Sequence, residues 1–419
     1  MMNKNNVSTS AVATLQKSPA SFIPTNSIYS KPPKQFSIKE VKTKEEATLF
    51  LNLPDDIHQS NPAYIKPLNK DIEAVFNESQ NKFFQHGKCT RWLLFDEKNI
   101  LIGRIAVFIN NEYQQHQPTG GIGFFDCIDS EQAAHFMFNH CKKWLQAHGI
   151  EAMDGPINFG ERLNWWGLVV EGFHAPLYGM NYNPPYYQRL FESYGFKVYF
   201  YQHCYSISLI EKLPSKFYSI QQKVETNDQI KAVPFSKRKL NQFACDFVKI
   251  YNKSWKSHGE NKVINEVEAI KLFTKMKAVI AEKAIWFVYH LDEPIACWLN
   301  LPDLNVYFKS MNGKFGIVEI IKFLLLRKVR PNQKLVGLLF GVVPEFQHKG
   351  IDAFMIVKAL QTINDQTPYR ELEMQWIGDF NPKMINMAQN MGAKCTRKLA
   401  TYRYLFDQDK PFTPHPLIG

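Results

Sequence analysis

A short basic turn between a buried strand and a helix contains the first residues of this sequence that could do chemistry. The run from Leu335 to Val343 is almost entirely apolar and ends at Pro344, which predicts a central strand buried on both faces. A helix with an apolar face follows the turn, and the free N–H groups and dipole at a helix start attract anions. The stretch therefore predicts an anion-binding site. Its candidate contacts are Gln347, His348, Lys349, Gly350, Ile351 and Ala353.

A second stretch, from Asp154 to Phe196, mixes aromatic rings with amides and charges. A core segment carries few charges and a surface loop carries few aromatic rings, whereas the wall of a ligand pocket carries both. We therefore predict a pocket here, and the alternative is an aromatic mini-core beneath a long loop. The candidate substrate-binding residues are Asn158, Arg162, Trp165, Trp166, Glu171, Tyr182, Asn183, Tyr186 and Tyr187, with Trp376 from the second half of the chain.

The elements around these stretches occur twice along the chain. A hairpin that begins at Trp92 is matched by one that begins at Trp286, and an Asn-Pro helix start at Asn183 is matched at Asn381. Both pairs are offset by roughly 200 residues, which predicts two diverged copies of one α/β unit. The alternative is two unrelated α/β domains with the same turn chemistry.

The predicted domain organisation follows from this repeat. Residues 1–34 are rich in Ser, Thr, Asn and Pro and are expected to be disordered. Residues 35–210 form the first copy and 211–233 a linker region. Residues 234–419 form the second copy, which carries the anion-binding turn.

The motifs resemble those of one superfamily. The residues from Gln347 to Ala353 resemble the Gln/Arg-x-x-Gly-x-Gly/Ala loop with which GNAT acyltransferases hold the pyrophosphate of coenzyme A, although Asp352 stands where Gly or Ala is usual. The runs GPIN, WWGLVVEGF and NYNPPYY resemble a bacterial group of tandem GNAT proteins that includes the bacterial ceramide synthases. This resemblance covers most of residues 36–405 and departs after Trp255. It implies an α/β fold of two tandem GNAT-like mixed-sheet domains.

The resemblance also implies different roles for the two copies. The second copy should bind the acyl donor, acyl-CoA or acyl-carrier protein, because the first copy has the acidic sequence Asp129-Ser130-Glu131 at the corresponding turn. Backbone N–H groups near residues 341–343 would polarise the thioester carbonyl, and the first copy would form part of the acceptor pocket. The donor contacts implied in addition to the turn are Gly341, Val342, Val343 and Asn381.

Amide formation also needs a base for the ammonium proton and an acid for the thiolate. Asp379 and Glu161 are the candidate bases, and both could equally be ion-pair partners. Tyr402 or a water is the candidate acid, because the helix after Asn381 contains no tyrosine. Tyr186 and Tyr187 raise the alternative of one active site built from both copies.

Composition and charge limit the partners. The net charge of +11 suits polyanionic partners, and seven cysteines without a zinc-like spacing favour reduced thiols and predict no metal site. No apolar run is long enough to span a membrane, so we expect a cytoplasmic protein. The segment from Gly316 to Arg330 predicts a basic amphipathic helix, which is either a peripheral contact with an anionic inner-membrane face or a packed helix with a solvated edge.

These observations leave three functional hypotheses. The first is an N-acyltransferase that acylates a small-molecule or lipid amine, with a sphingoid base as one candidate acceptor. The second is a Fem-like transferase that uses aminoacyl-tRNA, although the absence of a basic stripe with aromatic spacing makes nucleic acid an unexpected partner. The third is a non-catalytic acyl-CoA-binding protein. Neither G-x-S-x-G nor H-x-x-x-x-D is present to support nucleophilic catalysis.

Overall fold

A computed structural model describes residues 36–112, 117–255 and 263–417. The predicted disordered tail at 1–34 lies outside the described residues, as do residues 256–262 of the segment that departs from the family pattern. The first half of the chain contains β1 (Ser37–Glu40), α1 (Lys44–Ile57), α2 (Asn69–Val75), β2 (Gly87–Phe95), β3 (Leu101–Asn110), β4 (Thr119–Cys127), α3 (Glu131–Gln146), β5 (Ala152–Gly155), β6 (Leu168–Glu171), α4 (Tyr187–Tyr194) and β7 (Lys197–Ser208).

The second half repeats this succession of elements. The hairpin β9–β10 corresponds to β2–β3, and the central strand and helix β11–α10 correspond to β4–α3. This half contains α5 (Ser215–Glu225), β8 (Ile230–Pro234), α6 (Leu240–Trp255), α7 (Glu266–Met276), β9 (Ile285–His290), β10 (Glu293–Pro302), α8 (Asn305–Phe308), α9 (Ile317–Val329), β11 (Lys334–Val342), α10 (Ile351–Gln366), β12 (Glu371–Met374), β13 (Ile377–Gly378), α11 (Pro382–Asn390) and β14 (Lys394–Leu405).

The fourteen strands of the described ranges belong to one mixed sheet. Its main path runs β1-β2-β3-β4-β5-β14-β7-β12-β11-β10-β9-β8, with β6 beside β14 and β13 beside β7. The last strand of the second half, β14, pairs with β5 and β6 of the first half. The last strand of the first half, β7, pairs with β12 and β13 of the second. The two halves thus exchange their last strands, and the predicted boundaries at 210 and 234 do not separate two independent sheets.

Helices cover this sheet with the apolar faces that their sequences predict. In α3 the residues Ala134, Phe138, Cys141 and Leu145 are fully buried against the first-half strands. Ser130 caps this helix by accepting a hydrogen bond from the N–H of Ala133 at 3.3 Å. In the second half, α5, α6, α7 and α10 share one core with β9, β10 and β11.

A buried cluster of charges lies beside the exchanged strands. Glu373 on β12 and Arg397 on β14 both have fully buried side chains, and Glu373 Oε2 accepts a hydrogen bond from Lys334 Nζ at 2.5 Å. Arg397 Nε lies 3.4 Å from Glu373 Oε1, which is an ion-pair contact without hydrogen-bond geometry. The Arg397 guanidinium also donates to the carbonyl oxygens of His174 and Ala175, at 3.1 and 2.7 Å. The cluster therefore links β11, β12 and β14 to a first-half loop.

Candidate functional site

The central strand of the second half separates from its neighbour at mid-length. β11 and β12 run parallel from Lys334 to Gly337 and have no paired residues beyond it. On its other edge β11 continues to pair with β10, with an irregularity at Leu338 where the register shifts. The described residues supply no strand to pair with the freed edge of β11, which leaves backbone groups available to an extended ligand.

The N–H groups of β11 that a ligand could reach are those that point to its unpaired edge. The N–H of Val343 donates to the carbonyl of Ile295 beside β10 at 2.9 Å. Because successive N–H groups of a strand point to opposite edges, that of Gly341 also faces β10, whereas those of Val342 and Phe340 face the freed edge. Of the three predicted carbonyl-polarising residues, only Val342 presents its N–H there, and Phe340 joins it.

The basic turn ends at an uncapped helix. Gly350 is the N-cap of α10 with a left-handed φ of 78°, and no side chain among the described residues caps the first N–H groups, which include those of Ile351 and Ala353. His348 has a positive φ of 61°, and Lys349 Nζ lies 4.9 Å from the centre of the Phe346 ring. Gln347 Nε2 donates to the carbonyl of Val342 at 3.1 Å, which ties the turn to the end of β11. These free N–H groups and the Lys349 ammonium fit a diphosphate.

The corresponding turn of the first half is closed to anions. Ser130 caps α3, and the carboxylates of Asp129 and Glu131 both bind Arg189 on α4. The N–H of Ala133 is thus capped, and both carboxylates are paired within the chain. The two helix starts thus differ in their caps and in the charges beside them, and the placement of the donor in the second half stays a prediction.

The aromatic and polar segment of the first half crosses onto the second. Phe173, Leu177 and Met180 pack with Val336 and Leu338 of β11. Trp376 belongs to the same packing and also contacts the cluster that contains Trp166. Arg162 lies 5.5 Å above the ring of Trp166, and the amide oxygen of Asn158, a residue only 4% exposed, has no hydrogen-bond partner among the described residues.

A pocket that is partly open to solvent lies where β4 and β5 separate in the first half. Four of the candidate substrate-binding residues line it, namely Trp165, Tyr182, Asn183 and Tyr187. Asn183 has a structural role, since its side-chain amide hydrogen-bonds to both the N–H and the carbonyl of Val169. The hydroxyl of Tyr182 donates to the carbonyl of Phe173 at 2.9 Å. Trp165 and Met180 also line an adjoining pocket that reaches α8.

The remaining predicted substrate contacts are engaged within the first half and at β14. The hydroxyl of Tyr187 accepts from the N–H of Cys127 and donates to Asp126 at 3.2 Å. The hydroxyl of Tyr186 donates to the carbonyl of Cys127 at 2.7 Å. Glu171 is exposed and lies 3.3 Å from Lys398 of β14. The hydroxyls of both tyrosines are thus hydrogen-bonded within the first half. Neither is placed to protonate the thiolate of a donor in the second half.

The structure does not bring the three candidate catalytic side chains together. Asp379 accepts a hydrogen bond from the N–H of Tyr201 at 3.0 Å and so closes the pairing of β13 with β7. Glu161 is exposed and lies 3.5 Å from Lys82. Tyr402 is 1% exposed in the first-half core, where its hydroxyl donates to Glu192. Burial, followed by this hydrogen bond, raises the pKa of Tyr402, which makes it a weaker acid. Asn381 caps α11 by accepting from the N–H of Met384.

A titratable cluster that the sequence did not indicate lines the first-half pocket. His58, at the end of α1, is 3% exposed, and neither ring nitrogen has a partner among the described residues. Burial, partly opposed by Asp126, lowers the pKa of His58, so its imidazole is neutral at pH 7. Arg104 and Asp126 form a buried ion pair of 2.7 Å beside it. A single histidine at the end of a helix belongs to no sequence motif, so only its burial in the structure identifies His58 as a candidate.

Clusters of metal ligands and membrane-spanning helices are both absent from the described ranges. Residues 36–112, 117–255 and 263–417 contain no group of three or more His, Cys, Asp or Glu side chains placed to hold a metal ion. Within the same ranges, no helix combines the length and apolar character needed to cross a membrane.

Two bacterial proteins are similar to this chain over most of its length. The protein YghO of Escherichia coli K12 is 22% identical over 380 residues, which cover 87% of this chain and 94% of YghO. The bacterial ceramide synthase of Caulobacter vibrioides is 24% identical over 366 residues, which cover 85% of this chain and 94% of the synthase. No protein-family model matches the chain.

Two solved structures share the fold. A tandem GNAT protein from the clavulanic acid biosynthesis pathway superposes with a TM-score of 0.51 at 8% identity, covering 90% of this chain and all of that one. The GCN5-related glucosamine N-acetyltransferase region of a fungal β-N-acetylglucosaminidase gives 0.53 at 11% identity, covering 89% of this chain and 38% of that longer one. These likenesses confirm the predicted fold and the predicted resemblance. The chain thus has the tandem fold of the GNAT N-acyltransferases and resembles the group that contains bacterial ceramide synthase.

Proposed function

We propose that the chain transfers an acyl group from a coenzyme A or acyl-carrier-protein thioester to the amine of a long-chain lipid, with a sphingoid base as the foremost acceptor. The observation that carries this proposal is the freed edge of β11 next to the uncapped start of α10. An extended pantetheine arm can bond the strand edge while a diphosphate lies on the helix start. The name of the Caulobacter relative supports the acceptor class.

The donor-binding role predicts an effect of Lys349. Replacing Lys349 by alanine should weaken coenzyme A binding about fivefold at low salt, because an exposed ion pair contributes up to about 1 kcal/mol. Isothermal titration with coenzyme A measures this. Lys358→Ala, on the helix α10 that follows the turn, is the matched control, since Lys358 is paired with Glu225 and its loss should leave the affinity unchanged. Equal affinities in the wild type and Lys349→Ala would refute the placement of the diphosphate.

The reaction itself is tested with acyl-CoA and sphinganine. Release of free coenzyme A thiol and formation of N-acylated product, followed by mass spectrometry, are the expected results. In cells that lack the gene, free sphingoid base should accumulate and ceramide should disappear. If the protein binds coenzyme A but the cellular levels of free sphingoid base and of ceramide stay unchanged, the donor site stands and the proposed class of acceptor is wrong.

The helix α9 supports a lipid acceptor. Only Phe323 of its apolar side chains is buried, and seven others are between 42% and 79% exposed, namely Ile317, Val318, Ile320, Ile321, Leu324, Leu325 and Val329. The helix and its flanks also carry Lys314, Lys322, Arg327, Lys328 and Arg330. An apolar face with a basic edge fits the surface of an anionic membrane, where apolar side chains enter the lipid and cations meet the headgroups. We therefore place this helix at the membrane as part of the proposal.

Membrane contact through α9 predicts a specific loss. The double variant Ile321→Glu, Leu325→Glu should bind phosphatidylglycerol-containing vesicles at least tenfold less than the wild type, since each buried apolar side chain contributes about 1.5–3 kcal/mol. Vesicle co-sedimentation measures this, and Ile210→Glu, at a residue 64% exposed outside the helix, is the control. Equal vesicle binding by both variants, or an apolar face covered by a second copy in a stable dimer, would overturn the assignment.

A further inference from the structure

The first-half pocket has the walls of a site for a mainly apolar ligand. It lies where β4 and β5 separate, in the first-half position that corresponds to the donor edge of the second half. Its apolar walls include Pro54, Ile65, Phe124, Leu168, Trp165 and Met180. The serine cap and the two carboxylates at the adjoining helix start disfavour a diphosphate beside this separation of strands.

Two of the side chains that line this pocket contain buried polar atoms without a hydrogen-bond partner among the described residues. Both ring nitrogens of His58 are buried without a hydrogen-bond partner among the residues that the structure describes, and so is the indole nitrogen of Trp165. The imidazole stacks on Tyr64 with ring centres 4.3 Å apart, which fixes its plane. A buried polar group without a partner costs about 1–3 kcal/mol, so such groups normally have one. A ligand in the pocket would supply it.

The charges beside His58 restrict the ligand. Arg104 and Asp126 pair with each other at 2.7 Å, and Asp126 also accepts from Tyr187. The pair is neutral as a whole, so the pocket offers no unpaired cation for a phosphate or carboxylate among the described residues. A neutral imidazole provides one donor and one acceptor, and the indole provides a further donor. The complement is a head group with hydroxyls and an uncharged amine on an apolar chain, which is an amino alcohol.

The packing around the pocket connects it to both other parts of the proposed site. Met180 lines the pocket and packs in one cluster with Leu338, the residue at which β11 leaves β12. On the other side, Met180 and Trp165 line the adjoining pocket with Phe308. Phe308 packs in turn against Phe323, the buried residue of α9. Packed apolar side chains thus join the pocket to the end of the β11–β12 pairing on one side and to α9 on the other.

We propose that this first-half pocket binds the amino-alcohol head of the lipid acceptor, with His58 and Trp165 as its hydrogen-bonding partners. The identity of the ligand as acceptor rests on the proposed function, whereas the pocket and its unpaired atoms do not. His58 is here a residue that binds and orients the head group, so its loss should act on acceptor affinity and acceptor KM far more than on kcat.

The test compares two lipids and two variants. Sphinganine binding is titrated by tryptophan fluorescence in detergent micelles, beside the analogue that lacks its terminal hydroxyl. His58→Ala should bind sphinganine at least about tenfold more weakly than the wild type, while the affinity for coenzyme A is unchanged. His58→Gln, which retains a donor and an acceptor, should recover part of the loss. The wild type should prefer sphinganine to the analogue, and His58→Ala should show no preference.

The outcomes separate this proposal from the proposed function. If His58→Ala is folded, by an unchanged thermal midpoint, and retains the wild-type affinity and selectivity for sphinganine, the pocket assignment is overturned even where acyl transfer is observed. If sphinganine binds through His58 but no acyl product forms with any acyl-CoA, the pocket stands and the transferase function fails. Should His58→Ala unfold, a folded His58→Gln decides the assignment. It should bind sphinganine more weakly and less selectively than the wild type, and wild-type affinity together with wild-type selectivity in this variant would overturn the assignment.

Discussion

Replacing Glu373 by alanine is expected to lower the free energy of unfolding by about 3–5 kcal/mol, because it leaves buried cations without their partner. Glu373 is fully buried between Lys334 and Arg397, and Arg397 holds the loop at His174 and Ala175. The loss should appear as a lower midpoint in urea and in thermal denaturation. Glu151→Ala, which removes an exposed ion pair with Lys410, should change stability by less than about 1 kcal/mol.

The same residue gives a pH signature. Burial alone would raise the pKa of Glu373, but His174, Arg397 and Lys334 outweigh it and lower the pKa from 4.5 to about 2. A carboxyl whose pKa is lowered by folding contributes stability above its unfolded pKa and loses it as the pH falls through the folded one. The wild type should therefore lose stability between pH 4.5 and 2 more steeply than Glu373→Ala. Parallel curves, or a loss no larger than that of Glu151→Ala, would show that the cluster does not hold the strands together.

Replacing Gly350 by alanine is expected to weaken coenzyme A binding by at least about tenfold. Gly350 begins α10 with a φ of 78°, which a residue with a Cβ adopts at a cost of roughly 1 kcal/mol. A Cβ there would also lie 2.4 Å from Cγ2 of Ile220, so that the turn or α5 must move. A shift of the turn moves the free N–H groups of the helix start away from the diphosphate. Titration with coenzyme A measures the loss of affinity.

Gly392 provides the matched control for this variant. It has a φ of 86°, and a Cβ added there would have no atom of the described residues within 4 Å, so Gly392→Ala carries the backbone cost without the contact. Both variants should lose similar stability from strain, but only Gly350→Ala should lose donor affinity. An equal loss of affinity in the two would mean that general destabilisation, and not the geometry of the turn, is responsible.

Local sequence patterns were sufficient to predict the strand and the helix that form the proposed donor site. The apolar run predicted as a strand from Leu335 to Val343 is β11, displaced by one residue, and the helix after Gly350 is α10. A strand, a turn and a helix start depend on neighbouring residues, so their order can be predicted from composition and spacing. The strand that follows α10 is interrupted after Met374: β12 pairs with both β11 and β7, and β13 pairs with β7.

Features that depend on distant partners could not be predicted in this way. The exchange of β7 and β14 depends on which strand each one pairs with, and both have similar apolar patterns. Tyr402 is a candidate acid by sequence because it follows the second-half helix, but its strand lies in the first-half sheet and its side chain points to Glu192. Strand register decides which face a side chain occupies, and local patterns do not determine register between distant strands. His58 was missed for the related reason that residues far along the chain, among them Asp126 and Tyr182, surround it.

The exchanged strands also set the time at which this protein can finish folding during its synthesis. Asp154, beside the open edge of the first-half sheet, binds Arg403, which follows it by 249 residues. At about 5–20 residues per second, a ribosome needs roughly 10–50 s to make that interval. Throughout this interval the emerging first half has an unpaired strand edge, which is the kind of surface that chaperones cover and that promotes aggregation. We therefore expect the yield of folded protein to depend on translation speed and chaperone supply more than that of a single GNAT domain.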